Sequence, residues 1–175
     1  MSDKITEKDM QYAICVNSPW IMKRYDAVVP NCYTRWENEA DLFCMRKSGL
    51  CDEMEIKVTR SDFKNDAKKT VRLLNENYTS YRDKWVETPK TEALTTGHMS
   101  NYFWYCIPEG LMEFDEIPAW AGIIVVIRRT DGSLCAYEKR APKRLHGGKM
   151  SEEEKFKQVR KLGFRYWDLR KKNGK

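Results

Sequence analysis

Residues 37–59 constrain the fold most. Two runs of alternating apolar and charged side chains flank Lys47-Ser48-Gly49-Leu50. Alternation with a period of two is the pattern of a half-buried strand, and the glycine supplies a tight reversal. The spacing therefore predicts a strand over 37–46, a turn at 47–50 and a returning strand over 52–59. One face carries Ala40, Leu42 and Cys44 on the first strand, and Met54, Ile56 and Val58 on the second. The other carries Glu39 and Asp41, then Glu55 and Lys57. A solvated face would account for an arbitrary E-x-K, but an E-x-D in the preceding strand is harder to assign to solvent. Glu39 and Asp41 share a face roughly 6–7 Å apart at their Cα atoms. Asp41 falls opposite Glu55 or one pair away. Like charges placed so are destabilising unless something neutralises them. A Mg²⁺ ion takes carboxylate oxygens, a backbone carbonyl such as that of Ile56, and waters. Lys57 would then be placed to orient or deprotonate an attacking water and to stabilise a pentacovalent phosphate.

The rest of the chain supports a folded body around this hairpin. At 175 residues with 41% hydrophobic and 12% aromatic side chains, a single domain over 1–175 with a real core is expected. No stretch approaches the ~20 apolar residues of a membrane span, and the opening MSDKITEKDM has no apolar signal region. A cytoplasmic protein without membrane association is expected. The six cysteines are scattered, with no CxxC pair and only two histidines. Free thiols are therefore expected rather than disulfides or a zinc site.

Charge is unevenly placed. Residues 139–175 hold fourteen Lys/Arg and four Asp/Glu, a local +10, so the other 138 residues sum to −4 of the net +6. A basic terminal segment on an acidic body points to a polyanion, most simply nucleic acid.

Helical spacing predicts a helix over 5–16 with Thr6 as N-cap and Asp9 three positions on. A short turn follows at Trp20–Tyr25. Residues 26–33 look extended as far as Pro30, which suits a sheet edge. After the hairpin, Ser61 reads as the N-cap of a long helix reaching Tyr81 or Trp85. Phe63, Ala67, Val71 and Leu74 would face the core. Residues 86–100 read as a loop. NYFWYCI (101–107) reads as an aromatic strand that is core on both faces, and AGIIVVI and LCAYEK form a second hairpin around T-D-G-S. Ser151 opens a basic helix to about Arg170. Phe156, Val159, Leu162, Tyr166 and Leu169 are expected to dock it, leaving the basic side chains free. The expected order is α-(α)-β-β-β-α-β-β-β-α.

E-x-D, thirteen residues, then E-x-K, with a Ser-Asp opening a Lys-rich helix, resembles the PD-(D/E)XK nuclease superfamily. More narrowly, EADLFCMRKSGLCDEMEIKVTRSDFKNDAKK is similar to its small phage and bacterial MmcB-like members. The likeness runs on through YFWYCIPEGL, IPAWAGIIVV, KRAPKRLH and LGFRYWDLR, and is poor over 70–100, which reads as a variable insertion. The resemblance implies an α/β fold: a restriction-endonuclease-like core, a mixed central sheet flanked by helices, with an extra hairpin and a basic C-terminal helix. It implies Asp41 and Glu55 as metal ligands, Lys57 as the catalytic lysine and Glu39 as a further acid. Arg60, Ser61, Asp62, Asp66 and Lys69 would be supporting positions.

The expected activity is Mg²⁺-dependent hydrolysis of DNA phosphodiester bonds, with Mn²⁺ as a possible substitute. Candidate phosphate contacts are Arg60, Lys64 and Lys69 after the hairpin, Lys143 and Arg144 beyond the second hairpin, and Arg160, Lys161, Arg165, Arg170 and Lys171 in the tail. Two alternatives belong to other classes: a catalytically silent nucleic-acid-binding or protein-regulating module, and an interaction protein working through the 70–100 segment. A homodimer would suit two-strand cutting, though no stretch of sequence marks its face. His98 and His146 are expected to be exposed or packed rather than catalytic, and Gly147–Gly148 lacks the frame of a phosphate-binding loop.

Overall fold

The computed structural model describes residues 4–34, 36, 38–75, 77–81 and 84–173. The elements are α1 (Glu7–Cys15), α2 (Pro19–Met22), β1 (Ala27–Tyr33), β2 (Glu39–Met45), β3 (Cys51–Ile56), α3 (Arg60–Asp66), β4 (Thr70–Leu74), β5 (Trp85–Pro89), α4 (Lys90–Thr95), β6 (Tyr102–Pro108), β7 (Gly122–Arg128), β8 (Leu134–Arg140) and α5 (Glu152–Asn173). Six strands form one mixed sheet in the order β1-β2-β3-β6-β7-β8; β4 and β5 pair separately. β3, β6 and β7 run parallel, and the outer pairs are antiparallel. The protein is thus α/β, with helices on both faces of a mixed sheet.

The predicted hairpin is present. Gly49 sits at φ +85 in its turn, a conformation that side-chain-bearing residues rarely adopt. α1 starts at a full Thr6–Asp9 capping box. β1 is an edge strand, as Pro30 required, although it runs on to Tyr33. Tyr102 to Tyr105 form the middle of the sheet: Phe103 and Tyr105 enter one core layer and Trp104 the other. Gly122 lets β7 lie against Trp104, whose ring would come within 2.4 Å of any added Cβ. None of the six cysteines, all of them described, is in a disulfide, and five are buried. No described helix is long and apolar enough to cross a membrane.

Three expectations fail. The helix after the hairpin is capped by Thr59, whose side chain accepts from Asp62 N, and its last residue is Asp66. The remainder becomes β4, because Val71 and Leu73 alternate inward and pair with residues 85–89 across the hairpin. A β-branched Thr70-Val71 step favours that choice once a partner strand exists, and the partner is not local. Residues 86–100 accordingly hold β5 and α4, not a loop.

The third failure concerns α5, which begins at a Ser151–Glu154 capping box. It docks on β1 through Gln158, which accepts from Cys32 Sγ, together with Leu162, Lys161 and Arg165. Lys161 donates to the Tyr33 carbonyl, and Arg165 donates to those of Pro30 and Asn31. These are carbonyls of the sheet edge, which would otherwise be open. Phe156, Val159, Tyr166 and Leu169 are instead exposed. Of the expected row Leu162 docks, but the face turns because two basic side chains found backbone acceptors that no periodicity records. Arg165→Ala is expected to speed amide exchange throughout 152–173 while β3 and β6 stay protected; uniform protection in the variant would contradict this docking.

Candidate functional site

Burial and charge meet on β3, where all six residues are buried. The hairpin's charged face is therefore not a wet surface. Glu55 and Lys57 are each 1% exposed and Glu53 is fully covered. Lys57 Nζ lies 2.8 Å from Glu55 Oε1, 3.0 Å from Asp66 Oδ1 and 3.7 Å from Asp62 Oδ1. Asp66 comes from the last residue of α3 and also accepts from the Tyr105 hydroxyl at 2.9 Å.

Two further lysines close the cluster. Lys69 pairs with Glu55 Oε1 and lies 3.1 Å from Asp66 Oδ1, and its side chain is 46% exposed. Lys90, at the start of α4, bridges Glu53 Oε1 at 2.8 Å and Glu55 Oε2 at 2.9 Å. Three carboxylates thus face three ammonium groups, with Asp62 at the rim. Lys69 and Lys90 are joined at the root of the β4–β5 hairpin, where Lys90 N donates to Lys69 O at 2.8 Å.

Asp41 approaches from the other side. The β2–β3 ladder ends at the Leu42–Met54 pair, and beyond it Asp41 Oδ2 accepts from Ile56 N at 2.6 Å. Lys57 N bonds to Cys106 O on β6, so alternation along β3 turns both polar groups of Ile56 toward β2 and Asp41. The β1–β2 ladder skips the pair Asn31–Asp41, and Asn31 has φ +44. That irregularity also moves Ala40 into the core layer of Phe43, away from Leu42 and Cys44, where strict alternation had placed it.

The two carboxyls are driven apart electrostatically. Burial, then the charge of Glu55, pushes Asp41 up to about 7, against the help of the Ile56 N–H and Lys57. Burial would raise Glu55 too, but Lys90, Lys57 and Lys69 hold it well below its ordinary 4.5. Burial also raises Glu53 despite Lys90, and Glu53 Oε2 has no hydrogen-bond partner among the described residues.

A cavity of about 270 Å³ lined by Asn38, Glu39, Lys69, Thr70 and Lys90 leads to this cluster. Glu39 therefore stands at the mouth and not among the buried charges. A larger cavity of about 780 Å³ runs along α1, past Gln11, Tyr12, Pro30, Leu42 and Arg128. It holds no buried charge cluster.

Sequence reasoning brought together Asp41, Glu55, Ile56 and Lys57, and the structure does so too. It missed Glu53 and Lys90. Glu53 shares the parity of Glu55 and Lys57, which was the available signal; Lys90 was hidden by the loop assignment. Of the candidate phosphate contacts, Arg60 is bound to Glu116, and Lys69 belongs to the cluster. Lys161 and Arg165 are turned to β1. Lys64, Lys143, Arg144, Arg160, Arg170 and Lys171 are exposed. His146 packs, with Nε2 2.8 Å from the Met99 carbonyl oxygen.

Oxygen donors for a hard cation are present in Asp41, Glu55 and the Ile56 carbonyl, and a cation beside Asp41 would relieve the repulsion that raises its carboxyl. These residues would suit Mg²⁺ or Mn²⁺, for which Lys69, the most exposed of the three lysines on Glu55, would have to leave Oε1, an oxygen it shares with Lys57. Among the described residues no group of three or more His, Cys, Asp or Glu is arranged to hold a metal ion.

No family model matches the chain, and no curated protein matches it. Among solved structures the chain is similar to the SPO1766 protein of unknown function from Silicibacter pomeroyi, at 13% identity and a TM-score of 0.60, covering 100% of this chain and 96% of that one. At that identity the likeness shows the fold alone.

Proposed function

We propose that the protein is a metal-dependent nuclease that hydrolyses DNA phosphodiester bonds, on a restriction-endonuclease-like core. One observation carries the reading: a half-buried carboxyl, Asp41, pushed up by burial and by Glu55, shares its end of the sheet with the buried Glu55, held low by lysines, and with the buried Lys57. Burying this many charges is costly, and well-packed apolar residues of like volume would serve stability as well or better. Oppositely perturbed neighbours of this kind are the pattern of acid–base and electrophilic sites.

In this reading Asp41, Glu55 and the Ile56 carbonyl would hold Mg²⁺ or Mn²⁺, which would supply an activated water and charge to offset the phosphoryl group. Lys57, held between Glu55 and Asp66, donates to a phosphoryl oxygen and fixes the attacking water. Lys90 keeps Glu55 ionised and fixed from behind. Lys69 is exposed enough to swing from Glu55 to an incoming phosphate at the cavity. Glu39 acts at the rim. The exposed basic side chains Lys64, Lys143, Arg144 and Lys171 are available for phosphates, a salt-sensitive and sequence-independent attraction.

The test is cleavage of single-stranded, duplex and branched DNA by wild type and Lys57→Ala, with Mg²⁺, Mn²⁺ or excess chelator. Wild type should cut only with metal. Lys57→Ala should lose about 10²–10³ in rate, the scale of one transition-state donor, while binding DNA as before. Absence of metal-dependent cutting by wild type on every substrate would sink the proposal.

A further inference from the structure

We infer that α5 pairs with α5 of a second copy of this chain, antiparallel, about a twofold axis near Gly163. This inference does not depend on the nuclease reading. α5 docks on β1 through Gln158, Lys161, Leu162 and Arg165, which lie on one side of the helix. The opposite side carries Phe156, Val159, Gly163 and Trp167, the i, i+3, i+7, i+11 stripe of a helix–helix seam. Phe156 and Trp167 are 65% and 68% exposed, and Phe164 and Tyr166 flank the stripe at 62% and 54%. An apolar row of this length, outward-facing on a soluble helix, is the mark of an interaction surface.

Three features select a second copy as the occupant. First, the helix is charge-graded: Glu152, Glu153 and Glu154 fill its first turn and Arg170, Lys171 and Lys172 its last. Antiparallel pairing sets each acidic end against the partner's basic end, and it also opposes the two helix dipoles favourably. A nucleic acid laid along the stripe would meet the acidic end at one extreme. Second, Gly163 lies at the midpoint of the 22-residue helix, and nothing lies within 4 Å of where its Cβ would be. A glycine at the crossing point lets two helices approach closely. Third, pairing about Gly163 brings Phe156 opposite the partner's Arg170, and Val159 opposite the partner's Trp167. The basic end therefore covers an aromatic ring and the indole finds an aliphatic partner.

The sequence made Phe156 and Val159 docking residues of the monomer. The structure frees them, which is why this face emerges only now.

The experiment is sedimentation equilibrium of the full chain over a wide concentration range, with Trp167→Glu alongside, and thiol cross-linking of Gly163→Cys and Phe156→Cys. Wild type should reach the dimer mass. Trp167→Glu should weaken dimerisation about thirtyfold or more, the scale of an aromatic hot spot, with unchanged circular dichroism because the side chain is exposed. Gly163→Cys should cross-link to its own copy with a short bifunctional reagent, beyond the background of the parent thiols. Phe156→Cys should not, since its mate lies some 14 residues away along the pair, about 20 Å. A wild type that stays monomeric throughout would overturn the inference. So would a dimer indifferent to Trp167→Glu, or one in which Phe156→Cys cross-links and Gly163→Cys does not.

Discussion

Replacing Glu55 with glutamine is expected to destabilise the protein by about 3–5 kcal/mol, the cost of leaving buried charges without their partner, and to abolish cleavage. Glu55 is the counter-ion of Lys57, Lys69 and Lys90 at once. Lys69 can turn to solvent, but Lys57 and Lys90 are buried and would be left with Asp66 and the more distant Asp62 for Lys57, and the raised Glu53 for Lys90. The glutamine amide adds two donors where donors already crowd. The pH dependence follows the same charge. The folded-state pKa of Glu55 lies below its ordinary value, so its stabilisation is present above about pH 4–5 and is lost as acid protonates it. The variant should therefore lose less on acidification than wild type. Urea unfolding at pH 7 and pH 4 reads both effects. Glu39→Gln, at the cavity mouth, should stay within about 0.5 kcal/mol of wild type. A Glu55→Gln variant as stable as Glu39→Gln would mean that the cluster is not closed as described.

The extent to which this site was legible in the sequence depended on which residues are near each other along the chain. Asp41, Glu55 and Lys57 could be placed together because one hairpin with one glycine turn fixes their register. Their face was visible, but its burial was not. Whether a charged face is wet depends on what covers it, and much of the cover comes from β4 and α4. Those elements were read as the end of a helix and a loop, because Phe63, Ala67, Val71 and Leu74 fit a helical period and also, from Val71 onward, a strand. Lys90 is therefore missing from any list made from periodicity, although it contacts both Glu53 and Glu55. The central strands were legible for the opposite reason. Continuous apolar runs such as 122–127 and 102–107 have no face to choose, so an error of phase cannot arise. α5 shows the same limit in reverse: its amphipathic period was real, but the side buried in the monomer was the polar one, since Lys161 and Arg165 bond to edge carbonyls of β1.

Asp41→Asn is expected to stabilise the protein at pH 8 by on the order of 2–4 kcal/mol, from a raised pKa at about 1.4 kcal/mol per unit. Asp52→Asn, by contrast, should cost about 3–5 kcal/mol. Both carboxylates lie on the hairpin, and only their surroundings differ. Asp52 is satisfied on both oxygens: Arg46 donates at 2.6 and 2.7 Å, the Tyr25 hydroxyl at 2.9 Å and Trp104 Nε1 at 2.8 Å. Removing its charge orphans the Arg46 guanidinium and one or more of these donors. Asp41 has a single backbone donor, Ile56 N, which the asparagine oxygen can still accept. The sign of the pH effect follows. Burial and the charge of Glu55 push Asp41 up to about 7 from its ordinary 3.8. Ionised Asp41 therefore costs stability above pH 7, and that cost shrinks as pH falls from 7 towards 4. The Asp41→Asn gain should accordingly be large at pH 8 and small near pH 4.5, while the Asp52→Asn loss persists at both. Added Mg²⁺ should raise the melting temperature of wild type and leave Asp41→Asn unmoved. If Asp41→Asn proved as damaging as Asp52→Asn at pH 8, both would be structural carboxylates. A carboxylate expected to weaken the fold at working pH, on the same hairpin as the fully paired Asp52, is what a site held ready for a cation would require.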